Sequence, residues 1–423
     1  MVGVGWLVIM DDWLSRGGPG GAMLGFFGVA VLLLPIAVTY GRLVRTIPDA
    51  GAEVAYTEQV FPRWVSFAAG WMMVLAYAIV CPWEAAAIGK LLARVFPPMN
   101  DLPLYAVAGK VITLPRLVAG LGLTGGIAWI NYRGIRTSGR FQDFATLGLL
   151  ACFALFVALG FARGTPANVA PLFGPSGAFV SILLVAQIAP YFLTGFESIP
   201  KTSEEARPDL APGTLSRMIM LALVAAGLFY VLVIGAVSWV YPWTDLVAQH
   251  IGTETAFARA FASLWIARLI LVGAFLSLFK VLNGSFVAAT RLVYALGRRG
   301  LVAPVFGAVH PRFGTPAFAV ALVAAVTALG PFLGDAVLVP ISEVGAGVGA
   351  VGWLSACVAF IALVRRSGER GGTAIAGTGA VVSVAIVLMK VIPAVPGSFR
   401  WPEWLVLGSW CGLGLLLRRS ATH

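Results

Sequence analysis

Long apolar runs recur along this chain, separated by short breaks rich in Gly, Pro and charge. That pattern leaves few folds open. Inside hydrocarbon every backbone N–H and C=O needs a partner, and only helices and closed barrels provide one for each. Barrel strands are about 10 residues long and alternate apolar with polar side chains. These runs are longer and apolar throughout, so the expected class is an all-α polytopic membrane protein. Spans are expected near residues 1–10, 21–40, 64–92, 117–129, 144–161, 178–193, 218–240, 261–287, 317–333, 336–364, 373–392 and 401–417. About twelve spans of ~20 residues occupy ~240 residues. The hydrophobic share, 59% of 423 residues, is of that size, and only 11% are charged, against about 25% in soluble domains. A soluble enzyme, a nucleic-acid-binding protein and a secreted disulfide scaffold are excluded.

The net charge of +11 sits in short clusters between the runs, where topology signals lie. With the even-to-odd connections placed inside, 18 of the 29 basic residues fall inside, 9 outside and 2 (Lys90 and Lys280) within spans. This bias predicts a multi-pass protein of a cell membrane, a bacterial inner membrane by expectation, with both termini cytoplasmic. Lys201 counts among the inner cations, and Arg16, Arg94 and Lys390 among the outer ones. The turn 131–136 and the Arg365–Arg366 pair read as topology anchors, and Trp401 and Trp404 as an interfacial belt. Cys81, Cys152, Cys357 and Cys411 lie in apolar stretches and read as small buried hydrophobes. The opening run holds about nine residues, at ~1.5 Å each too short for a ~30 Å core. The first helix is therefore expected to lack the half that precedes this run. No basic segment or cleavage site makes it a signal peptide.

Two runs carry a break of their own. Gly3-Val4-Gly5 interrupts the first, and Thr194-Gly195-Phe196-Glu197 the sixth. A glycine costs ~1 kcal/mol inside a helix, so each pair of close breakers unwinds its helix locally. Freed backbone groups in a membrane must line a cavity or meet a ligand. Half-helix N-termini suit a carboxylate and freed carbonyls suit an ammonium or a cation. Close helix packing is the alternative use of Gly3 and Gly5. The two breaks lie five spans apart, and an odd offset reverses orientation. That is the layout of inverted repeats with a site at their interface.

Gly3-Val4-Gly5-Trp6, the stretch 192–208 (FLTGFESIPKTSEEARP) and the stretch 283–304 (NGSFVAATRLVYALGRRGLVAP) resemble signature segments of the amino acid–polyamine–organocation (APC) superfamily. So do Pro48-Asp49-Ala50-Gly51 with Tyr56, Gly70-Trp71, His310-Pro311 and Thr315-Pro316. The resemblance runs over about residues 2–364. It implies two inverted five-helix repeats, residues 1–162 and 163–366, followed by two helices in 367–423. It implies secondary active transport of amino acids or related amines. Carried over, Gly3, Val4 and Gly5 offer amides to a substrate carboxylate, and backbone groups around Phe192, Thr194 and Gly195 take its ammonium. Tyr191 falls where relatives place an aromatic cap. Val4 stands where relatives often have Ser, and the fifth run lacks the lysine (residues 141–149) that many proton-coupled relatives carry.

Four charges inside the runs cost about 2.5–3.5 kcal/mol each if placed centrally, so each needs a partner or a task. Glu197 follows the second break and reads as a protonatable switch or as a cap on the next half-helix. Lys280 reads as an internal cation replacing sodium, or as a partner for Glu84. Glu84 follows Pro82, whose kink is expected to turn it inward. Glu343 is expected about 10 Å from the outer end of its span, where with Asp11 and Asp12 it forms an acidic mouth that favours amines, or is reached by water at the interface. Asn283 and Ser285 read as ligands or as interhelical contacts.

No HExxH, GxSxG or P-loop pattern occurs, and the three histidines are scattered. No enzyme activity, metal or cofactor is expected. The expected partners are an amino acid or amine, protons and the lipid bilayer, with no nucleic acid, in a monomer or homodimer. A membrane sensor that binds amino acids without moving them is the alternative.

Overall fold

The computed structural model describes residues 2–134, 138–201, 213–368 and 371–419. Arg136, the Glu204–Glu205 pair, Pro208 and His423 lie outside the described residues, as do the side chains of 138–145. Helices form where the apolar runs lie. The first two runs give α1 (Gly5–Val8) and α2 (Met10–Thr46), and a short α3 (Glu53–Glu58) follows. The third gives α4 (Arg63–Ala78) and α5 (Val80–Val95), the fourth α6 (Leu114–Arg133) and the fifth α7 (Ser138–Arg163). The sixth is split into α8 (Gly177–Ala186) and α9 (Ala189–Leu193), and the seventh is α10 (Thr214–Val240). Two short helices, α11 (Trp243–Ala248) and α12 (Thr253–Phe261), lead to α13 (Leu264–Arg298). The remaining runs are α14 (Ala317–Leu333), α15 (Leu338–Ser367), α16 (Thr373–Val391) and α17 (Trp401–Arg419).

Seven helical stretches among the described residues are long and apolar enough to cross a membrane. One of them, Ala317–Ser367, has 51 residues and so holds two crossings of ~20. Phe179, Leu221, Trp265 and Leu405 are exposed on their helices, as contact with lipid requires. The protein is thus an all-α polytopic membrane protein.

The first run departs most from expectation. Its helix continues past Met10 to Gly17, and Gly18 (φ 62, ψ 179) turns the chain into the second run. A Cβ on Gly18 would lie 2.9 Å from the Leu172 carbonyl oxygen, so the turn demands glycine there on both counts. Asp11, Asp12 and Arg16, expected in an outer loop, are helical instead. The third run is interrupted at Ile79, between α4 and α5, three residues before Pro82, which has no N–H to continue the ladder. Against that same bend, α14 packs with no side chain between: a Cβ on Gly330 would lie 2.6 Å from the Pro82 carbonyl carbon.

Between α5 and α6 the chain forms an unexpected β-hairpin. β1 (Pro103–Val107) pairs antiparallel with β2 (Lys110–Thr113), Val107 opposite Lys110. Ala108 (φ 45) and Gly109 (φ 75) form the two-residue turn, both with the positive φ that a hairpin's twist favours. This is the hairpin end of the bundle. The opposite, arginine-rich end carries Arg63 bonded to the Arg299 carbonyl (2.8 Å) and Arg366 bonded to the Gln59 carbonyl (2.7 Å).

An aromatic cluster fixes the elements around the site. Trp13 lies 4.8 Å from both Phe26 and Phe192, and Phe26 stacks on Tyr230 at 4.8 Å. Both halves of α2 are thereby locked to α9 and α10.

Candidate functional site

The first break leaves α1 a single turn. The Leu7 and Val8 amides both bond the Val4 carbonyl, at 2.9 and 3.0 Å, and Ile9 (φ −130, ψ 28) interrupts the helix again before α2. Side chains take up the carbonyls between these interruptions. Thr253 donates to Trp6 (3.0 Å), Arg94 to Leu7 (3.2 Å) and Lys90 to Val8 (2.8 Å). Arg94 also pairs with Glu254 at 2.6 Å. Neither Lys90 nor Arg94 was legible as a partner of this segment.

The second break follows α9. Thr194 is extended (φ −60, ψ 143) and Gly195 stands at φ 123, a conformation that glycine alone adopts without strain. The Gly195 amide donates to the Glu197 carboxylate at 3.0 Å, and the Ser198 hydroxyl donates to the Gly195 carbonyl at 2.6 Å. Glu197 is fully buried, and its carboxylate holds the broken turn in place.

A cavity of about 220 Å³ lies where the two breaks meet. Gly3, Gly5, Tyr191, Phe192, Thr194 and Gly195 all line it, as do Glu84 and Lys280. Val4 is buried but does not line it, and neither does Glu197. Ser285 lines it too, and so do Tyr77, Trp83 and Tyr230, which sequence reasoning did not single out. Gly5 is required by close approach, since a Cβ there would lie 2.5 Å from Phe192 Cε1, whereas one on Gly3 would meet only the flexible end of Glu84, 2.9 Å from Oε1. The Val4 backbone lies against the Glu84 carboxylate and the Gly3 backbone against the Tyr230 hydroxyl. Glu84 Oε2 and the hydroxyls of Tyr77 and Tyr191 are buried without a hydrogen-bond partner among the described residues. Such an atom costs about 1–3 kcal/mol, and three around one cavity mark where a ligand's polar groups gain most. Asn283 bonds Asn131 at 3.0 Å and so joins α13 to α6.

On the arginine-rich side of this cavity sits a buried ion pair. Lys201 Nζ lies 2.9 Å from Glu53 Oε1 and 2.9 Å from the Glu197 carbonyl, and 4.9 Å from the Tyr77 ring centroid. The Tyr40 hydroxyl donates to the same Glu53 oxygen at 2.7 Å. Lys201 is 1% exposed, so it is no solvated topology marker. It ties the segment after the second break to α3 and α2.

Glu343 corrects a second expectation. It is buried, bonded to Arg16 at 2.7 Å and paired with Lys390, while Asp12 pairs with Arg16 at 2.9 Å. Arg16 and Lys390 neutralise Asp12 and Glu343, so of the three acids expected to form an acidic mouth only Asp11 is without a Lys or Arg partner among the described residues. Lys390, expected among the outer cations, is 1% exposed.

A family profile described as amino acid permease matches residues 1–414. The branched-chain amino acid permease BcaP of Bacillus subtilis is 26% identical over 418 residues, 95% of this chain and 80% of that protein. The methylthioribose transporter of the same organism is 27% identical over 327 residues, 75% of this chain and 68% of that protein. The low-affinity putrescine importer PlaP of Escherichia coli is 24% identical over 311 residues, 71% of this chain and 64% of that protein. This chain belongs to the amino acid permease family and is a membrane transport protein, not an enzyme.

Proposed function

We propose that the chain is a secondary active transporter that moves an amino acid or related amine across a cell membrane by alternating access, driven by proton symport or exchange. One observation carries the reading: both helix breaks meet at a cavity whose wall holds Glu84 Oε2 and two tyrosine hydroxyls without hydrogen-bond partners among the described residues. In this proposal the substrate's ammonium lies between Glu84 and the carbonyls of Phe192 and Thr194 at the end of α9, where helix carbonyls lack intrahelical donors. Its polar or carboxylate end faces the Gly5 amide and the hydroxyls of Tyr77 and Tyr191, and Tyr191 caps it. Residues 1–162 and 163–366 are the two inverted repeats and 367–423 the appended helices. The arginine-rich end, with the C-terminus, faces the cytoplasm. The named relatives handle branched-chain amino acids, methylthioribose or putrescine, which frames the substrates to try first.

The test is uptake. Purified protein in liposomes is screened with labelled amino acids and amines under imposed proton gradients, in parallel with thermal-shift binding. Concentrative uptake or counterflow is expected; binding without flux would make the protein a sensor. Lys280→Ala is expected to remove the pH dependence of uptake while leaving part of the exchange, because Lys280 supplies the cavity's own cation. An unchanged pH profile would take Lys280 out of coupling.

A further inference from the structure

We infer that the junction of α6 and α14 at the arginine-rich end is a binding site for the headgroup phosphate of an anionic phospholipid. Two arginines share one ring there. Arg133 Cζ lies 5.2 Å from the Phe313 ring centroid and Arg312 Cζ 5.5 Å, and Arg133 also lies 4.4 Å from the Trp129 centroid. Attraction to a ring spends none of a guanidinium's N–H donors. Both arginines are exposed, and neither pairs with an acid among the described residues. At the other end of α6, by contrast, Arg116 lies 3.7 Å from Asp335. No Asp or Glu occurs between residues 102 and 142 or between 255 and 334, the stretches that hold α6 and the loop before α14.

The platform is ordered without a ligand. The His310 amide donates to the Thr315 carbonyl (2.7 Å) and the Gly314 amide to the His310 carbonyl (2.8 Å), which closes the loop on itself. The Thr315 hydroxyl then donates to the Tyr132 carbonyl at the end of α6 (2.6 Å). His310 stacks on Phe313 at 4.8 Å, and Tyr132 meets both rings edge-on at 5.3 and 5.4 Å. Groups held in place beforehand lose little freedom on binding. The surface beside the arginines makes the occupant a lipid. Trp129, Ile130 and Phe318 are 54%, 38% and 53% exposed on the two apolar helices, so acyl chains lie against them while the phosphate reaches the guanidiniums. Arginine's planar fork matches phosphate oxygens, and basic pockets between membrane helices take such headgroups. This site lies apart from the cavity and does not depend on the transporter reading.

The test is lipid binding by the full chain. Protein delipidated in detergent is titrated with phosphatidylglycerol or with phosphatidylcholine, whose choline cancels the charge, and bound lipid is counted by native mass spectrometry. Phosphatidylglycerol is expected to bind at least about tenfold more tightly. Arg133→Gln with Arg312→Gln is expected to remove most of that preference, since each arginine near a headgroup contributes about fivefold. Arg418→Gln, which removes a lone arginine over Phe67 at the same end, is expected to leave it unchanged. A preference that survives the double variant, or that falls as far in Arg418→Gln, overturns the site. Inorganic phosphate that displaces phosphatidylglycerol at equal concentration makes the occupant a dissolved anion and overturns the lipid assignment. Should the double variant lose its fold, Arg312→Glu decides alone, and a retained preference in it overturns the site.

Discussion

Replacing Lys201 with Met is expected to destabilise the protein by about 3–5 kcal/mol, the cost of leaving a buried charge without its partner. Lys201 and Glu53 are 1% and 0% exposed and 2.9 Å apart, and Glu53 Oε2 already lacks a hydrogen bond among the described residues. With the ammonium gone, only the Tyr40 hydroxyl among the described residues still serves the Glu53 carboxylate. Whole domains are stable by only ~5–15 kcal/mol, so much of the folded population is expected to be lost. The fraction of protein that stays monodisperse in detergent on heating measures it. The Glu53→Gln, Lys201→Met double variant removes both charges and is expected to recover most of the loss, since buried pairs exchanged together for neutral groups are often tolerated. Equal stability of wild type and Lys201→Met would show that this pair holds nothing together.

The second large effect is expected from Gly5→Val, this time on transport. An added Cβ at Gly5 would lie 2.9 Å from Phe192 Cδ1 and 3.3 Å from Trp13 Cζ2. The Phe192 ring is penned by Trp13 at 4.8 Å, Tyr191 at 4.9 Å and Tyr230 at 6.0 Å. Its way out is into the cavity. Overpacking of this kind costs about 1–3 kcal/mol, which a folded protein survives, but uptake is expected to fall at least about tenfold as the ring takes the substrate's place. Phe192→Ala in the same chain is expected to relieve the crowding and return part of the binding seen by thermal shift. Unimpaired uptake by Gly5→Val would show that the approach of Phe192 to the first break is not needed.

These two residues also show what the amino-acid order discloses and what it hides. A break announces itself locally: Gly3-Val4-Gly5 and Thr194-Gly195 are visible as breakers inside apolar runs, and the cavity lies where they converge. Partnership across the fold does not announce itself. Lys201 finds Glu53 across 148 positions and Lys390 finds Glu343 across 47, and nothing near either lysine marks it as buried. Each therefore read as a boundary cation. Asp11-Asp12 read as the end of a span because two acids rarely sit in hydrocarbon; the helix runs on because Arg16, one turn later, answers Asp12. The hairpin was hidden for a different reason. Its turn is Ala108-Gly109, not the Asn-Gly or Asp-Gly pair that signals such a turn.

The carbonyls of Trp6, Leu7 and Val8 each accept from a side chain of another helix: Thr253 on α12, and Arg94 and Lys90 on α5. The short turn after the first break is thereby moored to both, so a shift of that turn must carry α5 and α12 along or give up three hydrogen bonds.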